Sequence, residues 1–166
     1  MRSRSRLVAL SLIFLGLTAC ATSPTSELEE TLSDQQLLDS LADGSAQLAT
    51  LGLFSGYSEA WSEGSAVRNL RGLYDTRAWR QLAVDVMRIG SGSDLSWFYL
   101  GRAAEELGHP EAALTYYRKS NESAERKGIS GCIGATCSGF EFPEDSLARI
   151  EVLTQELDRK EQRVGK

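Results

Sequence analysis

The chain has 166 residues, 42% hydrophobic and 25% charged, which is the balance of one ordinary globular domain and not of a disordered tract or a membrane-spanning bundle. Its formal charge of −5 argues against nucleic acid as a partner, because an acidic body repels a phosphate backbone.

The first residues depart from that average. Arg2, Arg4 and Arg6 precede the apolar run Leu7 to Leu17, and Thr18-Ala19-Cys20 closes it. Basic, apolar, then small is the order of an export signal. The run is shorter than the roughly 18 to 20 residues that cross a bilayer, so residues 1–19 are expected to be a removed targeting segment. Leu17-Thr18-Ala19-Cys20 resembles the bacterial lipobox, which implies that Cys20 is acylated and becomes the first residue of the mature chain. Each buried acyl methylene contributes about 0.8 kcal/mol, so several acyl chains on one cysteine hold a domain to a membrane persistently. Losing the three leader arginines takes the charge from −5 to −8. A body that acidic is expected to stand off an anionic lipid surface on its tether. The alternative is a plain secretory signal, with Cys20 an incidental thiol.

Residues 20–32 form the lipidated terminus and a linker, since Ala21-Thr22-Ser23-Pro24-Thr25-Ser26 is too small and polar to bury a core. The folded domain is expected over 33–162. Ser33-Asp34-Gln35-Gln36 has the spacing of a capping box ahead of Leu37, Leu38 and Leu41, and predicts a helix from about Asp34 toward Leu51 that Gly44 weakens or divides. Gly52 to Gly64 has no clear period and reads as loop with some helix. From Ser65, Val67, Leu70 and Leu73 fall at helical spacing, as do Trp79, Leu82, Ala83 and Val86 after a break at Asp75-Thr76, which predicts a hairpin.

Gly90 to Ser93 reads as a linker, and Asp94 can cap the helix that follows. Trp97, Leu100, Ala104 and Leu107 line one face of that helix, Gly108 suits the left-handed stop, and Pro110 opens the next helix, which runs toward Lys127-Gly128. Ala113, Tyr117 and Ser120 are expected to face back onto the first helix. Gly128 to Gly139 is loop by composition. Pro143 opens a last helix with Leu147, Ile150, Leu153 and Leu157 on its apolar face, and the tail from Gln162 is expected to fray.

With Cys20 lipidated, Cys132 and Cys137 remain, and an even pair in an exported protein points to a disulfide. So small a loop gains only about 2 kcal/mol, which makes it a clip. Metal binding would need further ligands, and the lone His109 sits in another turn; redox catalysis uses a shorter cysteine spacing. Glu29-Glu30, Glu105-Glu106 and Glu144-Asp145 lie where solvated helix faces and N-termini favour negative charge. The chain is therefore expected to be no enzyme, with no cofactor, no metal and no small-molecule substrate.

Asp94 to Lys127 resembles one tetratricopeptide repeat, a helix–turn–helix unit of about 34 residues with a W-x2-L-G pattern. Trp97 takes the aromatic place, Leu100-Gly101 the Leu-Gly pair, Gly108 the turn, Ala113 the small contact and Tyr117 the large aromatic. Ala104 stands where the family often has tyrosine, Ser120 where it has alanine, and no proline closes the unit. Shifting back by 34 places Ala66-Val67 under Leu100-Gly101 and Trp79 under Ala113, where periodicity survives and identity mostly does not. The resemblance implies an all-α fold of antiparallel hairpins stacked as a short solenoid, with the first and last helices as caps. It also implies a concave side lined by the first helix of each unit, which puts Leu95, Phe98, Arg102, Glu105 and Glu106 in a groove for a partner.

These expectations combine into a lipid-anchored scaffold or adaptor engaging envelope proteins or peptides in assembly or secretion, at the bacterial outer membrane and facing the periplasm. The outer-membrane address rests on Ala21 following the cysteine. One alternative is a cell-wall-acting periplasmic enzyme or accessory, which calls for a deep pocket holding two carboxylates from different helices. Another is a purely structural lipoprotein, which calls for a filled or charge-neutral concave side.

Overall fold

Ser33 begins the first helix by exchanging hydrogen bonds with Gln36: the Gln36 amide donates to the Ser33 hydroxyl at 3.3 Å and the Ser33 amide to Gln36 Oε1 at 2.8 Å. This is the expected capping box. The computed structural model describes residues 32–48, 65–89, 92–126 and 137–164. They form six α-helices, α1 (Asp34–Ala42), α2 (Ser65–Asp75), α3 (Trp79–Ile89), α4 (Asp94–Glu106), α5 (Pro110–Glu125) and α6 (Glu144–Val164), and no strand among the described residues, so the fold is all-α. Cys20, Cys132, the leader, the tether up to residue 31 and residues 49–64 lie outside the described residues.

Three helices end the same way. After α1, α2 and α4 the chain turns through a left-handed residue, Gly44 (φ 80°), Arg77 (φ 57°) and Gly108 (φ 88°). The amide one position further on reaches back five residues, Ser45 to Ser40 O at 3.0 Å, Ala78 to Leu73 O at 2.9 Å and His109 to Ala104 O at 2.8 Å. These are Schellman closures, in which the last carbonyls of a helix gain donors. The first stops α1 at Ala42, well short of Leu51. In the second, Arg77 stands where the other two turns have glycine.

The same turns fix the internal period. Arg77 precedes Gly108 by 31 positions, and Trp79, where α3 starts, precedes Pro110, where α5 starts, by the same 31. The expected offset of 34 is therefore corrected: Trp79 corresponds to Pro110 and not to Ala113. At 31, Leu70 falls on Gly101 and Val86 on Tyr117, and all four are buried. One hairpin is large on its first helix and medium on its second; the other has no side chain on the first and a ring on the second.

Helix α4 is the centre of the core. Leu95, Tyr99, Leu100, Ala103 and Ala104 are fully buried, and its most extensive contact is with α5; it also packs on α3 and α1, while α6 lies on α5. Tyr117 faces Gly101 as expected, and the Ser120 hydroxyl donates to Asp94 O at 2.8 Å and sits 2.7 Å from the Ser146 hydroxyl of α6. Tyr116 reaches the other way: its hydroxyl lies 3.0 Å from Ser40 O and 3.1 Å from Leu41 O and accepts from the Ala46 amide at 3.1 Å. One phenol thus satisfies both sides of the turn that ends α1.

Two details differ from expectation. Ser93, not Asp94, caps α4, its hydroxyl accepting from the Ser96 amide at 3.2 Å, and Asp94 is the acidic residue of the first turn. On α6, Leu147 is 48% exposed while Ser146 is fully buried and Arg149 half-buried. The inward face is rotated because Ser146 and Arg149 both find polar partners inside, which an apolar pattern does not register.

Candidate functional site

Of the stripe expected to line a groove, Leu95, Phe98, Arg102, Glu105 and Glu106, only Glu106 is exposed. Leu95 is fully buried and Phe98 only 3% exposed. That corrects the open groove: the rings of Phe140 and Phe142 lie against Phe98, and Arg149 meets Glu105.

The charged part of the stripe is an internal network. Glu105, with a side chain 15% exposed, accepts from Arg102 Nη1 at 3.0 Å, from the Tyr117 hydroxyl at 2.7 Å, and from Arg149 of α6 through Nε at 3.2 Å and also through Nη2. Arg102 Nη2 adds Glu106 at 2.7 Å, and its guanidinium lies 5.8 Å over the Trp79 ring. One carboxylate therefore joins α4, α5 and α6. Burial acts to lower the Arg102 guanidinium, but the oxygens of Tyr117, Tyr74 and Glu106 outweigh it and hold it above its ordinary value. Burial and the repulsion of Arg102 lower Arg149. Glu105 is what allows the two cations to share one site, and such a pair resists removal of the acid between them.

The apolar part is an aromatic seat that sequence reasoning missed. Phe140 sits 4.7 Å from Phe98, 5.4 Å from Tyr74 and 6.1 Å from Tyr99 by ring centroids, and Phe142 sits 5.3 Å from Phe98. Arg71 of α2 stacks 5.3 Å over Phe140 and donates to Ser138 O. Arg71 and Arg102 are the same position of the two hairpins at the period of 31, and each pairs with an acid four residues on, Asp75 at 2.9 Å and Glu106 at 2.7 Å. That recurrence was the available signal for Arg71. Nothing local marked Phe140 and Phe142, which lie between the loop that ends at Gly139 and the helix expected from Pro143.

Cys137 is buried beside this seat, and its expected partner Cys132 lies outside the described residues. His109 caps nothing with its side chain, and lines a depression of about 200 Å³ with Gln35, Leu38, Asp39, Leu41, Ala42, Arg80 and Leu107. Its one carboxylate, Asp39, is exposed and bonded by Gln35 Nε2 at 2.7 Å. Among the described residues no group of three or more His, Cys, Asp or Glu is placed to hold a metal, and no helix is long and apolar enough to cross a membrane. In comparisons with known proteins, no family model, no curated protein and no solved structure matches the chain.

Proposed function

We propose that the chain is a lipid-anchored, non-catalytic scaffold that engages protein or peptide partners of the bacterial envelope. The observation that carries this reading is the repeated hairpin. Two units with the same turn and the same Arg-x3-acid pair on their first helices present a face that already accommodates an irregular stretch of chain. Stacked helical repeats build extended concave surfaces that serve for binding.

The Arg2-to-Cys20 leader supports the anchor through acylation of Cys20, at the outer membrane with the domain in the periplasm. Cys132 and Cys137 are assigned to a disulfide in the same compartment. The acids of the network favour a non-catalytic role, because Glu105 and Glu106 are bound to arginines and neither is a free carboxylate in a cavity. The expected result is an acylated Cys20 terminus by mass spectrometry and a discrete envelope partner after in-cell crosslinking. A free terminus at Ala21 or later contradicts the anchor, and recovery of no partner above background contradicts the scaffold. The charge balance across Arg71, Asp75, Arg102, Glu105, Glu106 and Arg149, three cations against three anions, is the specific feature that favours a second reading, a purely structural lipoprotein.

A further inference from the structure

The depression beside His109 is walled by three parts of the fold. Helix α1 is one wall and is fixed at both ends: Arg88 Nη2 of α3 pairs with Asp34 Oδ1 at 2.5 Å, and the Tyr116 hydroxyl lies 3.0 Å from Ser40 O and 3.1 Å from Leu41 O. The start of α3 brings Arg80, and the turn between α4 and α5 brings Leu107 and His109. Leu38, Leu41 and Leu107 make the lining apolar, while Arg80 and Asp39 put opposite charges on it. These charges do not meet. Asp39 Oδ1 accepts from Gln35 Nε2 at 2.7 Å instead, and the Arg80 guanidinium has no acid partner among the described residues. Arg80 is also poorly placed for the helix that carries it. At the period of 31 it corresponds to Glu111 of α5, and an acid in a first turn complements the helix dipole where a cation opposes it. The stability of α3 therefore gives no reason for a guanidinium there.

An acid and a base that line one small cavity without closing on each other leave room for a ligand that carries both charges. We propose that this depression binds a free α-amino acid with an aliphatic side chain of leucine size, its carboxylate on Arg80, its ammonium on Asp39 and its side chain on Leu38, Leu41 and Leu107. The volume of about 200 Å³ is smaller than the roughly 300–1,000 Å³ of sites for drug-sized ligands, which suits a ligand this small. The guanidinium suits the carboxylate, because its paired N–H donors match both oxygens. The apolar lining separates such a ligand from glycine and from inorganic anions. The proposal adds a ligand to the scaffold reading and does not depend on it.

The chain has one histidine, and it lines this depression, so its imidazole proton resonances are a single local reporter. The test is a titration of the full chain with leucine at fixed pH, followed by those resonances. It is repeated with 4-methylpentanoate, which lacks the ammonium, with 3-methylbutylamine, which lacks the carboxylate, and with glycine, which lacks the side chain. The expected result is a saturable shift with leucine at a Kd of about 0.1–10 mM, the range open to so small a ligand, and binding of each analogue weaker by about tenfold or more. Arg80→Ala and Asp39→Asn each weaken leucine binding by about tenfold or more. Both side chains are exposed, so neither change lowers the Tm by more than about 2 °C. Absence of a saturable shift with leucine overturns the proposal. Binding of 4-methylpentanoate or of 3-methylbutylamine as tight as that of leucine overturns it as well, because one of the two charges then contributes nothing. Undiminished leucine binding by either folded variant does the same.

Discussion

Gly101 lies directly against the ring of Tyr117: a Cβ built on it would stand 2.6 Å from Cε1 and 2.7 Å from Cδ1. Glycine inside a helix ordinarily costs about 0.5–1 kcal/mol relative to alanine, so its place in the middle of α4 needs a reason, and the ring supplies one. Tyr117 is itself fully buried and its hydroxyl is tied to Glu105, so it has nowhere to move. Gly101→Ala is expected to destabilise the fold by about 1–3 kcal/mol despite its better helix propensity. In a Tyr117→Leu background the same change should cost distinctly less, and urea denaturation of the four chains measures the coupling. Full additivity would contradict the contact.

Glu105 is the next position at which a small change has a large expected effect. Glu105→Gln keeps the shape and removes the charge between Arg102 and Arg149, so a loss of about 3–5 kcal/mol is expected. Adding Arg149→Met removes one of the orphaned cations, and the double variant should be less destabilised than the sum of the two single ones. A loss near zero for Glu105→Gln would mean that the network lies open to solvent.

Arg77 predicts a gain. It holds a left-handed conformation at the position where Gly44 and Gly108 close the equivalent turns, and its side chain is exposed. Arg77→Gly relieves the Cβ conflict and is expected to stabilise by about 0.5–1 kcal/mol, while Gly108→Ala loses about 1 kcal/mol or more. Opposite signs for the two substitutions in thermal unfolding check the proposed equivalence of the turns.

Alkaline pH is expected to weaken the fold through its buried phenols. Burial pushes Tyr116 up to about 12 from an ordinary 10.0, and burial also raises Tyr117. The folded chain therefore keeps protons that the unfolded chain releases, so this contribution is complete below about pH 10 and is lost as the pH rises through about 12. Urea midpoints should fall across that window. Tyr116→Phe should flatten part of the fall, and should lower stability at neutral pH by about 1–3 kcal/mol because the Ala46 amide loses its acceptor. An unchanged slope in the variant would assign the alkaline transition elsewhere.

Much of the hairpin α4–α5 was legible in sequence, because its signals are local. The Gly108 stop, the Pro110 start and the inward Ala113, Tyr117 and Ser120 each follow from residue type and spacing, as does the box at Ser33 and Gln36. The period of 31 was not legible, since the earlier hairpin closes on Arg77, a residue type that carries no left-handed signal. The site was the least legible part. Spacing puts Phe98 and Arg102 on one stripe, but what meets Phe98 and Glu105 there comes from Phe140, Phe142 and Arg149, contacts some forty residues distant in the chain that periodicity within one helix cannot report. Leu147 faces outward for the same reason, because hydrogen bonding at Ser146 and Arg149 sets the rotation of α6.

The central claim, that the first-helix face of the hairpins receives a partner, is tested most directly by site-specific photo-crosslinking in cells. Crosslinkers at Asp75 and Glu106, the exposed acids that border the seat on α2 and α4, are compared with crosslinkers at Arg118 and Glu122 on the exposed side of α5. The account predicts one discrete adduct from Asp75 and Glu106, and none from Arg118 and Glu122. The same adduct from all four positions, or none from Asp75 and Glu106, would contradict it.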